Sequence, residues 1–169
     1  MAPPHVAAAS DPGLEDLTVL VVDDNTNMLK LMHTLFKALR IRYVHEATSA
    51  EGAIELMKDI PFDVIVTDLA MQPIDGVELV RALRTHPQSP NPRIPILMLT
   101  GHTDAKLVMK ARDAGIDDFL AKPVSVNMLR ERLTRVMTGR RPFVRTAAYT
   151  GPERRTREKP INGPDRRGR

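Results

Sequence analysis

Phe62-Asp63-Val64-Ile65-Val66-Thr67-Asp68 sets the architecture of this chain. It is a short apolar run that stops on an acid. A run of that length reads as a buried strand, and a carboxylate at its end needs partners, because a lone buried charge is costly. Three further runs have the same form. Leu17-Thr18-Val19-Leu20-Val21-Val22 stops at Asp23-Asp24, Ile94-Pro95-Ile96-Leu97-Met98-Leu99 stops at Thr100, and Phe119-Leu120-Ala121 stops at Lys122-Pro123. The strands thus deliver an acid pair, an acid, a hydroxyl and a cation. If the strands are parallel, all these groups lie on one edge of the sheet, where open α/β sheets bind their ligands.

Helical stripes separate the runs. Met28, Leu31, Met32, Leu35, Phe36 and Leu39 recur at helical spacing. Arg42-Tyr43-Val44-His45-Glu46-Ala47 reads as a second strand, placed at an edge by its polarity. Ser49 is an N-cap for a helix whose stripe is Ala50, Ala53, Ile54 and Met57. Val77, Val80 and Leu83 mark a third helix; Leu107, Val108 and Ala111 mark a fourth, closed by Gly115 as its C′ glycine. Val126, Leu129, Leu133 and Val136 mark a fifth. A β-α unit repeated in this way implies a parallel sheet covered by helices on both faces, with right-handed crossovers. The proline-rich segment 85–93 reads as a loop without chemistry.

Four pieces of the sequence, in order, resemble the receiver domain of bacterial response regulators: Val21-Val22-Asp23-Asp24-Asn25; Val66-Thr67-Asp68-Leu69-Ala70-Met71-Gln72-Pro73-Ile74-Asp75-Gly76; Leu99-Thr100-Gly101; and Ala114-Gly115-Ile116-Asp117-Asp118-Phe119-Leu120-Ala121-Lys122-Pro123. The resemblance covers residues 15–138. It implies a doubly wound, flavodoxin-like sheet of five parallel strands in the order 2-1-3-4-5. It departs from the family pattern at Gln72, which stands between Met71 and Pro73 where the family often has Met-Pro directly.

The resemblance also implies roles. Asp68 is the phosphoacceptor, taking a phosphoryl group from a phosphohistidine to form an acyl phosphate. Asp23, Asp24 and Asp68, with the backbone carbonyl of Ala70, hold Mg²⁺, a hard cation that relieves the repulsion among clustered carboxylates. The bland alternative for the acid pair is that one of them caps the first helix. Lys122 offers a point charge to a phosphoryl oxygen. Thr100 hydrogen-bonds the bound phosphoryl group, and Gly101 leaves room for its approach. Phe119 occupies the family's switch aromatic, against the alternative of an ordinary core residue. Ala70 and His102 lie where the family tunes hydrolysis of the acyl phosphate. Asp75-Gly76 forms the turn and N-terminus before the third helix, with no chemistry of its own.

Composition bounds the rest. The chain has 169 residues and no cysteine, which excludes disulfides and thiolate metal sites. No apolar run reaches the length of a membrane span, and the start lacks the features of a signal peptide, so the expected location is cytoplasmic. The net charge of +4 is uneven: residues 139–169 carry +7 and residues 15–138 carry −2. The domain therefore gives no electrostatic reason to expect nucleic-acid binding. The expected organisation is a disordered leader (1–14), a receiver domain (15–138) and a basic, disordered tail (139–169). The tail contains the copies Gly151-Pro152-Glu153-Arg154-Arg155 and Gly163-Pro164-Asp165-Arg166-Arg167. It reads as a solubility tail or as a docking tether.

The functional expectation is a stand-alone response regulator: a phosphoacceptor signalling protein, not an enzyme, that assists its own phosphorylation and dephosphorylation. Its partners would be a sensor histidine kinase or histidine phosphotransfer protein and a downstream protein that reads the face of the fourth helix, fifth strand and fifth helix. The resemblance also allows a dimer on phosphorylation. The alternative is non-specific nucleic-acid binding by the tail, or a scaffold protein regulated by the receiver. A phosphohydrolase is disfavoured, because Asp23-Asp24-Asn25 lacks a second acid two residues beyond a nucleophile on the first strand.

Overall fold

Alternation within each strand run separates two cores. The computed structural model describes residues 13–101 and 105–154. Strands β1 (Thr18–Val22), β2 (Tyr43–Ala47), β3 (Val64–Asp68), β4 (Ile96–Thr100) and β5 (Asp118–Ala121) pair in parallel in the order β2-β1-β3-β4-β5. Helices α1 (Thr26–Ala38), α2 (Ala50–Asp59), α3 (Gly76–Thr85), α4 (Ala105–Ala114) and α5 (Val126–Thr138) connect and flank them. Leu20, Val22, Ile65, Ile96 and Met98 point to one face and pack with the stripes of α2, α3 and α4. Val19, Val21, Val66, Leu97 and Leu99 point to the other and meet Met32, Phe36, Leu129 and Leu133 from α1 and α5. Successive strand residues face opposite sides of a sheet, so a run apolar at every position supplies both layers. Every residue of β3 and β4 is buried, while β2 lies at an edge with an exposed, polar pattern.

Local signals place the helix starts. The Asn25 side chain caps α1, accepting from the backbone N–H groups of Asn27 and Met28. Ser49 and Ser125 cap α2 and α5. Asp75 and Glu78 form a reciprocal capping box on α3. Neither Asp23 nor Asp24 caps α1, which removes the bland alternative for that pair.

The expected structureless tail is corrected over residues 139–154. Here β6 (Phe143–Arg145) and β7 (Thr150–Pro152) form an antiparallel hairpin. The second Gly-Pro-acid-Arg-Arg copy, the leader up to residue 12 and His102 lie outside the described residues. Polarity misled the expectation: the hairpin needs no apolar stripe because polar groups of the domain hold it. Arg84 on α3 is only 1% exposed. Its guanidinium donates to the carbonyls of Gly115, Pro92 and Ile94 at 2.9, 2.9 and 2.8 Å and to the Asp117 carboxylate at 3.1 Å. The Phe143 ring lies 5.6 Å from Arg84 and 5.2 Å from Arg93, a pair of cation–π contacts. Arg154 pairs with Asp113 of α4 and covers the Tyr149 ring. The loop at 85–93 thus supplies one acceptor to Arg84, the Pro92 carbonyl, and is not idle.

Gly115 answers two demands. Its φ of +107° ends α4 as expected, and an added Cβ would stand 2.7 Å from the Thr150 carbonyl oxygen. Any side chain there would lift the hairpin.

Arg84→Ala strands the Asp117 carboxylate and three carbonyls together. Removing one partner of a buried pair costs about 3–5 kcal/mol, so urea unfolding should show a loss of that order. A loss below about 1 kcal/mol would mean that water replaces the guanidinium and that it does not organise this corner.

Candidate functional site

The C-terminal ends of β1, β3, β4 and β5 converge. Asp23 follows β1, Asp68 and Thr100 end β3 and β4, and Lys122 follows β5. One carboxylate oxygen each from Asp23, Asp24 and Asp68 lies within 4.8 Å of the others. Asp68 is 6% exposed; its Oδ1 accepts from the Leu69 N–H at 3.0 Å and from Lys122 Nζ at 2.9 Å. Asp23 is fully buried; its Oδ1 accepts from the Asn25 N–H at 2.9 Å, while its Oδ2 finds no hydrogen-bond partner among the described residues. Asp24 is exposed and its Oδ2 accepts from the Gln72 N–H at 3.2 Å. Gln72, the departure from the family pattern, therefore ties the acceptor loop to the acid pair. The peptide bonds Gln72–Pro73 and Lys122–Pro123 are cis.

Burial pushes the Asp23 carboxyl above its ordinary range, and the charges of Asp68 and Asp24 add to the rise; the Asn25 N–H and Lys122 oppose it. Lys122 bonds to this cluster at Asp68. A buried carboxylate with an unused oxygen, next to two others, is a donor set of hard oxygens with excess negative charge, which fits a small divalent cation.

The remaining expectations divide. Thr100 is buried at the end of β4, paired in register with Ala121, and its carbonyl accepts from the Lys122 N–H at 2.9 Å. Ala70 is exposed in the loop after Asp68. Phe119 is half-buried and packs against the core beneath α4. Around Gly101 there is open space: among the described residues an added Cβ would meet only Lys122 Cδ, at 3.9 Å. Gly76 opens α3 as expected, and it is where space is short. A Cβ there would stand 2.2 Å from the Asp68 carbonyl oxygen, and the Gly76 N–H donates to the Leu69 carbonyl at 3.0 Å. The start of α3 is thus pressed against the acceptor. The Asp-Gly pair eight residues on from Asp68 was the available signal; the contact itself needs coordinates.

Comparison with known proteins agrees with this arrangement. The family model described as response regulator receiver domain matches residues 19–134. The virulence sensor protein BvgS of Bordetella pertussis is 36% identical over 137 residues, which cover 78% of this chain and 11% of that protein. The chain thus spans about a tenth of the length of that relative. The chemotaxis protein CheY4 of Vibrio cholerae is 30% identical, with a TM-score of 0.66, covering 72% of this chain and 98% of that one. The receiver domain of sensor histidine kinase PA1611 from Pseudomonas aeruginosa, solved with magnesium in its active-site cleft, has a TM-score of 0.64 at 24% identity and covers 72% of this chain and 98% of that one, a likeness of fold alone. Among the described residues no helix is long and apolar enough to cross a membrane.

Two outcomes follow from the geometry. Gly76→Ala should lower stability by about 2 kcal/mol or more, because backbone must move, whereas Gly101→Ala should change it by no more than about 0.5 kcal/mol; equal effects in thermal unfolding would contradict the contact at Asp68. In chelator-treated protein, Asp23→Asn should raise the unfolding temperature, by removing a desolvated charge that faces two others. Because the folded-state pKa of Asp23 is raised, wild type gains stability as pH falls through that value toward the unfolded one, so its deficit against Asp23→Asn should narrow on acidification. A gap that widens as pH falls would reverse the assignment.

Proposed function

This chain belongs to the response regulator receiver family, and from that premise we propose that it is a phosphoacceptor switch in which Asp68 takes a phosphoryl group from a phosphohistidine. The observation that carries the reading is the convergence of Asp23, Asp24 and Lys122 on Asp68 from separate strands. Asp68 Oδ2 would attack phosphorus while the P–N bond breaks and its electron pair stays on the imidazole nitrogen; a histidine kinase or phosphotransfer protein would supply the donor. The Leu69 N–H and Lys122 hold Oδ1 and so orient the carboxylate. Once the acyl phosphate forms, negative charge moves from the carboxylate to the phosphoryl oxygens, and Lys122, 30% exposed on a flexible stem, can follow it. Asp23, Asp24, Asp68 and the Ala70 carbonyl would hold Mg²⁺, which when bound neutralises charge on the carboxylates and the incoming phosphoryl oxygens.

Thr100, at the end of the neighbouring strand, would offer its hydroxyl to the phosphoryl group. Movement of β4's end would reach Phe119 across the β4–β5 pair, where Met98 is its register partner. The half-buried ring would then repack under α4 and alter the face formed by α4, β5 and α5. A downstream protein would read that face as a shift between two populations.

Incubation with acetyl phosphate and Mg²⁺ should add one phosphoryl group, detected by intact mass. Asp68→Asn and removal of the metal by chelation should each abolish the addition, and Lys122→Ala should slow it by tenfold or more, the order expected for loss of a charged stabiliser. Undiminished addition to Asp68→Asn would place the acceptor elsewhere.

A further inference from the structure

The residues that flank the C-terminal hairpin, 139–141 and 154, build one wall of a groove on the face assigned to output. The groove, about 590 Å³, runs between α4, the start of β5, α5 and residues 139–141 and 154. Its apolar lining comes from Val108, Ile116, Phe119 and Val136. Five guanidinium groups surround that floor: Arg112 from α4, Arg135 from α5, and Arg140, Arg141 and Arg154 from the extension.

The lining carboxylates do not balance these cations. Asp117 is bonded to Arg84 and to the Ile96 N–H, and Asp118 accepts from Phe119 N–H and pairs with Arg132 and Arg135. Arg140 and Arg141 donate to backbone carbonyls, of Arg93 and Asp117. A carbonyl satisfies hydrogen bonds without cancelling charge, and the one carboxylate both guanidiniums act on, Asp117, is shared with Arg84, so the rim keeps an excess of positive charge. Arg154 is offset by Asp113, but Arg112 is an exposed residue and adds to the excess.

We propose that this groove binds an acidic protein segment whose apolar side chains fill the floor while its carboxylates meet the arginine rim. The proposal rests on the reading of α4, β5 and α5 as the output face and names the chemistry of what docks there. Charge complementarity selects the occupant. The chain beyond Arg154 is itself basic, with a net charge of +4 over residues 155–169, and would be repelled. A nucleic acid would satisfy the arginines but leave the apolar floor without a matching partner, since the one aromatic lining it, Phe119, is half-buried.

A fluorescein-labelled peptide alternating glutamate and leucine, and a matched peptide with glutamine in place of glutamate, test this on the full chain by anisotropy. The acidic peptide should bind at least about tenfold more tightly at low salt, and the preference should shrink as salt rises. The double variant Arg112→Glu, Arg140→Glu, checked for folding by circular dichroism, should lose about tenfold in affinity for the acidic peptide, and the neutral Arg112→Gln should lose less. Phosphoryl uptake at Asp68, read on the same samples by intact mass, should be unchanged. Equal affinity for the two peptides, or no effect of the double variant, overturns the proposal. So does a single-stranded oligonucleotide that displaces the peptide with higher affinity, or self-association that the double variant abolishes. Failure of Asp68 to take up phosphate in wild type strikes instead at the reading of the receiver site, and the two failures are told apart in one experiment.

Discussion

Three carboxylates held within 4.8 Å of one another impose the central constraint on this molecule. Like charges at that distance repel, and burial of Asp23 deepens the cost. The sheet tolerates it because each acid sits at or just past the C-terminal end of a parallel strand, where the backbone is fixed by pairing on both sides. β3 is paired with β1 and β4 along its length, so Asp68 cannot retreat from Asp23 without breaking register. The repulsion is stored by the fold and offset in part by one lysine that follows β5. A site that is short of positive charge is prepared to receive it.

Rigidity under the acceptor serves the same end. α3 begins at Gly76 in direct contact with the Asp68 carbonyl, and its capping box fixes where that helix starts. The acid pair is tied to the acceptor loop through Asp24 and Gln72. At the other edge of the sheet a different kind of anchor operates. Arg84 gathers acceptors from the loops that precede β4 and β5 and supports the hairpin through Phe143. Burial pulls its pKa below the ordinary value, yet an arginine starts so high that it stays charged. Its cost is offset by four hydrogen bonds, one of them to a carboxylate.

Much of this was legible in the residues. Apolar runs ending on Asp23-Asp24, Asp68, Thr100 and Lys122 declare strands whose ends share an edge, since parallel βα units leave no other arrangement. The helix stripes, the edge character of β2 and the C′ role of Gly115 are likewise local matters of periodicity and backbone preference. The hairpin was not legible. Its residues read as polar and unpatterned, and they pack because Arg84 meets the Phe143 ring, Asp113 pairs with Arg154 and Gly115 leaves room for Thr150, all from far away in the chain. Gly76 shows the same limit: a glycine after an aspartate announces a turn, but only the packing of α3 on β3 explains why nothing larger fits.

Periodicity and strand-end chemistry by themselves determined the layered α/β fold, the shared edge and the residues gathered on it, because those follow from short-range rules that act along the chain. Tertiary structure alone decided that one Asp23 oxygen has no hydrogen-bond partner among the described residues, that Arg84 is a buried anchor, and that residues 139–141 and 154 wall a basic groove beside β5. Each of those depends on which distant groups arrive within a few ångströms, and distance through space is not written in any local pattern.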